Sequence, residues 1–124
     1  MKSFVRYQLP VITWILAIFA LSSIPTLPMV KFLISPDKLA HAGIYFVLCM
    51  LWKRALFNQQ RFPFLARNAL GIAAVLTVVY GTAIEIYQIT VPGRFADIYD
   101  AFANAAGAGA FVMWSKWRSR GVEN

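Results

Sequence analysis

The stretch AIEIYQITVPGRFADIYDAFANAAGAG, residues 83–109, decides the fold, because it sets ionisable and amide side chains between two long apolar segments. Glu85 lies inside an apolar run, and Asp97, Asp100 and Asn104 follow a Pro-Gly pair that is typical of a turn. Two helices joined by this short turn would run antiparallel. The spacing therefore predicts that these polar side chains gather at one end of a helical bundle.

The composition predicts a membrane protein. The chain has 124 residues, a length that favours a single domain spanning residues 1–124. Of these residues 60% are hydrophobic and 14% are charged, and the mean hydropathy is +0.61. A soluble domain carries about 25% charged residues. The net charge of +7 comes from residues that flank apolar segments. We interpret them as topology signals and lipid-headgroup contacts, and not as a nucleic-acid surface.

Four apolar segments are long enough to cross a bilayer, which takes roughly 20 residues per helix. The predicted helices are 7–24, 37–57, 68–90 and 97–117. The first segment can also be interpreted as a signal peptide, because Lys2 and Arg6 precede it and small residues follow its apolar part. The fold class predicted is therefore all-α, an integral membrane four-helix bundle.

The positive charges predict the orientation of this bundle. Four spans put both termini on one side, and that side collects nine of the twelve lysines and arginines. The other side has only Lys31, Lys38 and Arg94. Since positive residues favour the cytoplasmic side, we expect both termini to be cytoplasmic. The same topology sends every acidic residue except Glu123 to the outer side.

Helical phase predicts that the polar residues form stripes that can face the bundle interior. Each of the last three helices contributes one stripe, and the members are Asp37, His41 and Tyr45; Thr82, Glu85 and Gln88; and Asp97, Asp100, Asn104 and Gly107. The alanine and glycine run at 105–110 predicts a face of close helix contact. Trp114 and Trp117 are typical of interface anchors.

Glu85 carries the sharpest single signal. At about 1.5 Å per residue it lies roughly 7 Å inside the helix end at Thr90. A bare carboxylate at that depth is unfavourable by several kcal/mol, so it requires a partner or hydration. Arg94, Lys38 and His41 are the available partners. Glu85 is then either part of a functional site or an ion pair with Arg94 that joins two helices.

His41, the only histidine, is a candidate general base that Asp37, one turn earlier, can orient. A structural, hydrogen-bonded histidine is the alternative. Zinc needs about three protein ligands, and an oxygen-rich set suits Mg²⁺ or Ca²⁺ better. No metal or other cofactor is predicted. A divalent metal held by His41, Glu85, Asp97 and Asp100 is the minor alternative.

The motifs resemble those of the VanZ-like family of small bacterial multi-pass membrane proteins. They are D-K-x-x-H at Asp37, Lys38 and His41 with Tyr45 following; E-x-x-Q at Glu85 and Gln88; and P-G-R-x-x-D-x-x-D-x-x-x-N-x-x-G from Pro92 to Gly107. The resemblance covers about residues 37–109. It implies a protein of the bacterial inner membrane that acts on the cell envelope, in a family named after a protein associated with resistance to teicoplanin.

Three functions remain open. The first is a binding module whose outer cluster holds a lipid headgroup, a lipid-linked wall precursor or an amphiphilic glycopeptide-type drug. The second is a hydrolase or transferase acting on an outer-leaflet lipid, with His41, Glu85 and Asp100 as candidate catalytic residues. The third is a structural protein that recruits a partner. The candidate ligand-binding residues are Asp37, Lys38, Tyr45, Gln88, Arg94, Asp97 and Asn104.

Overall fold

The computed structural model describes residues 4–23, 36–91 and 98–123, with the side chains of 4–23, 39–91 and 99–119. A π-helical turn at Phe4–Gln8 leads directly into the first α-helix, and no strand occurs in these ranges. The α-helices are α1 (Leu9–Ser22), α2 (Pro36–Asn58), α3 (Pro63–Arg67), α4 (Ala69–Gln88) and α5 (Ile98–Glu123). The all-α fold class is therefore confirmed. The short α3 occupies a stretch predicted as loop.

Within the described ranges, three helical stretches are long and apolar enough to cross a membrane: Phe4–Ser22, Leu39–Asn58 and Ala69–Gln88. Helix α5 is long enough, with 26 residues, but is not among them. Its polar and small residues lower its hydropathy. Two of the polar residues, Asp100 and Asn104, are buried inside the protein, whereas Phe102, Met113 and Trp117 are exposed.

Helices α2 and α5 run parallel to each other and approach very closely near their starts. A Cβ added at Gly107 would collide with the carbonyl oxygen of Ala42, so the two backbones touch. Helix α4 packs antiparallel against both. Cys49 of α2, Ala73 of α4 and Ala108 and Phe111 of α5 form a shared core cluster. The predicted close-packing face is therefore narrower than the 105–110 run, because only Gly107 and Ala108 of that run are buried.

Helix α1 docks on α2 and α4 through apolar packing and through hydrogen bonds: Ile18 shares a core cluster with Leu48 of α2 and Ile84 of α4. The Trp14 indole N–H donates to the Ile44 carbonyl at 3.1 Å, and the Tyr80 hydroxyl donates to the Ile15 carbonyl at 2.6 Å. The hydroxyls of Ser23 and Tyr87 are hydrogen-bonded at 2.9 Å. These pairs align the end of α1 with the start of α2 and the end of α4.

The bundle surface is apolar, as expected of a protein surrounded by lipid. Leu16, Val75, Val79 and Ile86 are each about 60% exposed, and many other large apolar side chains are exposed as well. A soluble monomer rarely exposes so much contiguous apolar area. The buried residues include polar side chains from α4 and α5, so these helices turn polar groups inward and apolar groups outward.

Candidate functional site

A cavity of about 130 Å³ lies between α1, α2 and α4 at the end of the bundle where the carboxylates gather. Its polar lining comes from Ser22, His41, Tyr45 and Glu85. We call this the acidic-end cavity. The last turn of α1, the first turns of α2 and the last turns of α4 meet here because consecutive helices alternate in direction. Three predicted site residues from two helices therefore share one cavity.

Glu85 and Tyr45 are both buried polar groups of the lining. Glu85 is 7% exposed and Tyr45 is 2% exposed, and the two interact electrostatically. His41 is half-buried. Both His41 and Glu85 make further interactions within the protein. The carboxylate therefore points into the bundle and away from the acyl chains, as helical phase predicts.

Helices α2, α4 and α5 come together at Gly81, directly beneath the cavity. A Cβ at Gly81 would lie 3.0 Å from Cε1 of Tyr45 and 3.1 Å from both Cβ and Nδ2 of Asn104. Tyr45 therefore lines the cavity and also lies beside Gly81, where α4 meets Asn104 of α5. Any side chain at position 81 would displace Tyr45 or Asn104.

Asn104 is a buried amide on the inward face of α5. The residue is 2% exposed, and neither Nδ2 nor Oδ1 has a hydrogen-bond partner in the described part of the chain. A buried polar group without a partner is unfavourable by roughly 1–3 kcal/mol. The amide is thus placed to bind a water molecule or a polar ligand atom.

Two further predicted site residues are buried but do not line the cavity. Gln88 is 2% exposed, Asp100 is 5% exposed, and both make interactions within the protein. They lie one turn further toward the acidic end than Glu85 and Asn104, respectively. Their arrangement fits helix-to-helix contact as well as it fits ligand binding.

One residue of the predicted inward-facing stripes does not face inward in the structure. Thr82 is exposed, and its hydroxyl donates to the Val78 carbonyl of its own helix at 2.9 Å. The inward face of α4 instead carries Thr77, Gly81 and Glu85, four residues apart. Thr82, Glu85 and Gln88 follow one another at three-residue steps, and three residues fall short of a full helical turn. Thr82 is therefore rotated away from the buried face on which Glu85 and Gln88 lie.

Four predicted site residues lie outside the described side chains. The backbones of Asp37 and Lys38 belong to the first turn of α2, but their side chains are not described, and Arg94 and Asp97 lie in the undescribed 92–97 segment. The predicted contact between Glu85 and Arg94 therefore stays a prediction. Among the described residues, no three histidine, cysteine or acidic side chains are grouped as metal ligands.

Sequence reasoning missed Ser22 and Gly81. Ser22 is 6% exposed and lines the cavity, although it lies at the end of the segment with the least motif content. A serine among large apolar residues near a helix end was the available signal. Gly81 was also visible, because a glycine inside a helical pattern often marks close packing.

These features define a helical membrane protein with two buried carboxylates, Glu85 and Asp100, near one end of the bundle. A comparison with protein families gives a match to VanZ/LLP1 over residues 3–118, and the chain belongs to this family. The match includes α1, which carries few of the motif residues. No match was found among curated proteins or among solved structures.

Proposed function

We propose that this protein spans the bacterial inner membrane with four helices and binds the polar headgroup of an amphiphile at its outer face. The acidic-end cavity carries the proposal. It combines a buried carboxylate, Glu85, with the hydroxyl of Tyr45 and the imidazole of His41 near one end of the bundle. In a bundle that spans the bilayer, this end would lie where a headgroup meets the acyl chains. In this arrangement α5 is the fourth span, and both termini are cytoplasmic.

The rim of the cavity supports entry from the lipid side. Leu21 and Ala40 line the cavity and are themselves exposed, Leu21 by 58%. Leu39, next to Ala40, is 68% exposed. An amphiphile can therefore insert its headgroup between the end of α1 and the start of α2 while its acyl chains stay in the bilayer.

Charge and size favour a small cationic or zwitterionic headgroup. The described carboxylates, Glu85 and Asp100, both lie at the acidic end, whereas every described lysine and arginine side chain lies at the other end. A volume of 130 Å³ corresponds to about four water molecules at roughly 30 Å³ each. This accommodates an amine-bearing lipid headgroup, but only one group of a lipid-linked wall precursor or a glycopeptide-type drug such as teicoplanin.

Lipid retention by native mass spectrometry tests the binding function. We expect the full-length protein to retain phosphatidylethanolamine over phosphatidylcholine, whose methylated amine donates no hydrogen bond. Glu85→Gln removes the charge, and losing a hydrogen bond to a charged group weakens binding by about tenfold or more. The matched control is Thr82→Val on the exposed face of the same helix. Equal retention by both variants contradicts the proposal.

A lipid hydrolase or transferase is the second candidate, favoured by the presence of Ser22, His41 and Glu85 in one cavity. These residue types supply a hydroxyl, a general base and an acid. The test is mass spectrometry of lipids after incubation of the reconstituted protein with phosphatidylethanolamine vesicles. A product that forms with the natural protein and not with His41→Ala, while both retain lipid equally, favours catalysis. Retention without product favours the binding module.

A further inference from the structure

A second recess lies at the opposite end of the bundle, far from the acidic-end cavity. It is a groove of about 510 Å³ between the last turns of α2 and α5. Helix α2 lines it from Met50 to Asn58, and α5 lines it from Phe111 to Ser119. Each helix contributes at i, i+3, i+4, i+7 and i+8, which is one continuous helical face. We call this recess the basic-end groove.

The groove exists because two parallel helices that touch at one point must separate beyond it. Gly107 and Ala42 bring α5 and α2 into backbone contact near the acidic end. Aromatic rings fill the space as the helices diverge: Phe46 and Phe111 meet edge to face with centroids 5.4 Å apart, and Trp114 lies 6.0 Å from Phe111. Beyond these rings the groove is open to the surface.

The lining of the groove is strongly cationic. Lys53, Arg54 and Arg118 line it, and none of the lining residues that the structure describes carries a carboxylate. Hydroxyl and amide donors accompany the cations, from Asn58, Ser115 and Ser119. Three positive charges together with neutral donors are the groups that bind a phosphate oxygen.

Aromatic rings contact each of these three cations. The Lys53 ammonium lies 5.0 Å from the centroid of the Phe57 ring, and the Arg118 guanidinium lies 5.3 Å from the Trp114 ring. The Arg54 guanidinium lies 5.1 Å from the Tyr7 ring. A cation–π contact orients a charged side chain without neutralising it. The positive charge of the groove is therefore available to an anion.

The helix dipole opposes an anion at this end, but it is the smaller effect. Helix α2 ends at Asn58, and a helix C-terminus carries about half a negative charge. Side chains already bind some of the terminal carbonyls: Asn58 donates to the Arg54 carbonyl at 2.7 Å, and Gln59 donates to the Leu56 carbonyl at 3.1 Å. Three full positive charges outweigh the remaining dipole.

We propose that the basic-end groove binds the phosphate of an anionic membrane lipid. The exposed apolar side chains beside it place this phosphate next to the acyl region: Phe57 is 58% exposed, Met113 is 74% exposed and Trp117 is 72% exposed. A lipid can therefore set its phosphate among Lys53, Arg54 and Arg118 while its chains lie along α5. A free phosphate would use the same cations without these apolar contacts.

The test measures the binding of phosphatidylglycerol to the full-length protein in detergent by native mass spectrometry. The groove variant is Lys53→Gln, Arg54→Gln and Arg118→Gln combined. The matched control removes the same charge from cations that do not line the groove, through Arg61→Gln, Arg67→Gln and Lys116→Gln. We expect the groove variant to lose at least about tenfold in affinity and the control less than about threefold, because bulk salt screens the more distant charges. Phosphatidylcholine binding should be equally weak in all three proteins.

Three outcomes would overturn the proposal. Equal losses in the two triple variants would show that general surface charge attracts the lipid. Equal binding of phosphatidylcholine would show that the negative charge is not recognised. Release of phosphatidylglycerol by excess inorganic phosphate would identify a soluble-anion site. Ser115→Trp provides a check that leaves the charge unchanged: it fills the groove, so it should reduce phosphatidylglycerol binding as the triple variant does, and undiminished binding places the lipid elsewhere.

Discussion

Replacing Gly107 by alanine tests the contact that positions α2 against α5. The added methyl group would meet the backbone of Ala42, with the carbonyl carbon at 2.9 Å, the Cα at 3.1 Å and the carbonyl oxygen closer still. An ordinary contact begins at 3.4 Å, so the carbonyl carbon alone must move by 0.5 Å. A helix backbone cannot rotate away as a side chain can. The two helices must therefore separate along the whole crossing.

Two opposing effects determine how much Gly107→Ala changes the free energy of unfolding. Inserting a methyl group into a packed interface is unfavourable by typically about 1–3 kcal/mol, with backbone clashes at the upper end. Glycine to alanine inside a helix favours folding by about 0.5–1 kcal/mol. The clash is therefore the larger effect. We expect Gly107→Ala to lower the free energy of unfolding by about 1–2 kcal/mol.

Gly109→Ala is the matched control, because it makes the same chemical change two residues further along α5, where no described atom beyond the local helix backbone lies within 4 Å of the added carbon. It should raise the free energy of unfolding by about 0.5–1 kcal/mol. Both variants are compared in bicelles by titration with dodecyl sulfate, with helix content followed by circular dichroism. If Gly107→Ala is as stable as Gly109→Ala, the close α2–α5 contact is refuted.

Three further predictions test the docking of α1, the buried amide and the orientation. Tyr80→Phe removes the 2.6 Å hydrogen bond to the Ile15 carbonyl and should lower the free energy of unfolding by about 1 kcal/mol in the same titration; no change would mean that this bond does not hold α1. Asn104→Leu keeps the branching and the number of side-chain heavy atoms and removes two buried polar atoms that have no hydrogen-bond partner among the described residues, so the free energy of unfolding should stay equal or rise by about 1 kcal/mol, and a clear fall would contradict an unsatisfied amide. Alkaline phosphatase fused at Gly93 should be active and at Asn58 inactive if both termini are cytoplasmic, and the reverse pattern would invert the orientation.

The helical fold could be predicted from sequence because the bilayer imposes a length and an apolar composition on each span. Helical spacing also predicted part of the candidate site, as Asp100 and Asn104 show. Their four-residue spacing placed both on one face of α5, and both are buried. The same reasoning failed at Thr82, since a run of three-residue steps drifts off the buried face. One-dimensional spacing thus locates a face to within about one side chain.

What one helix packs against could not be predicted from one sequence. Gly81 contacts Tyr45 and Asn104, which are 36 and 23 residues away in the sequence, and no local pattern specifies that meeting. Ser22 was missed for the same reason. The positive charges near the end of α2 were interpreted as topology signals and general lipid-headgroup contacts, and not as the lining of one groove. Their second role emerges from the divergence of α2 and α5, which is a three-dimensional property.

The two recesses lie at different depths of the same bundle and call for different lipids. From Ala42 to Arg54 the chain rises about 18 Å along α2, more than half of a hydrocarbon core of about 30 Å. One headgroup therefore cannot reach both sites. Combined substitution of Lys53, Arg54 and Arg118 by glutamine should leave phosphatidylethanolamine retention unchanged, just as Glu85→Gln should leave phosphatidylglycerol retention unchanged. A loss of both lipids in either variant would show that the sites are coupled through α2, contrary to the separation that the structure indicates.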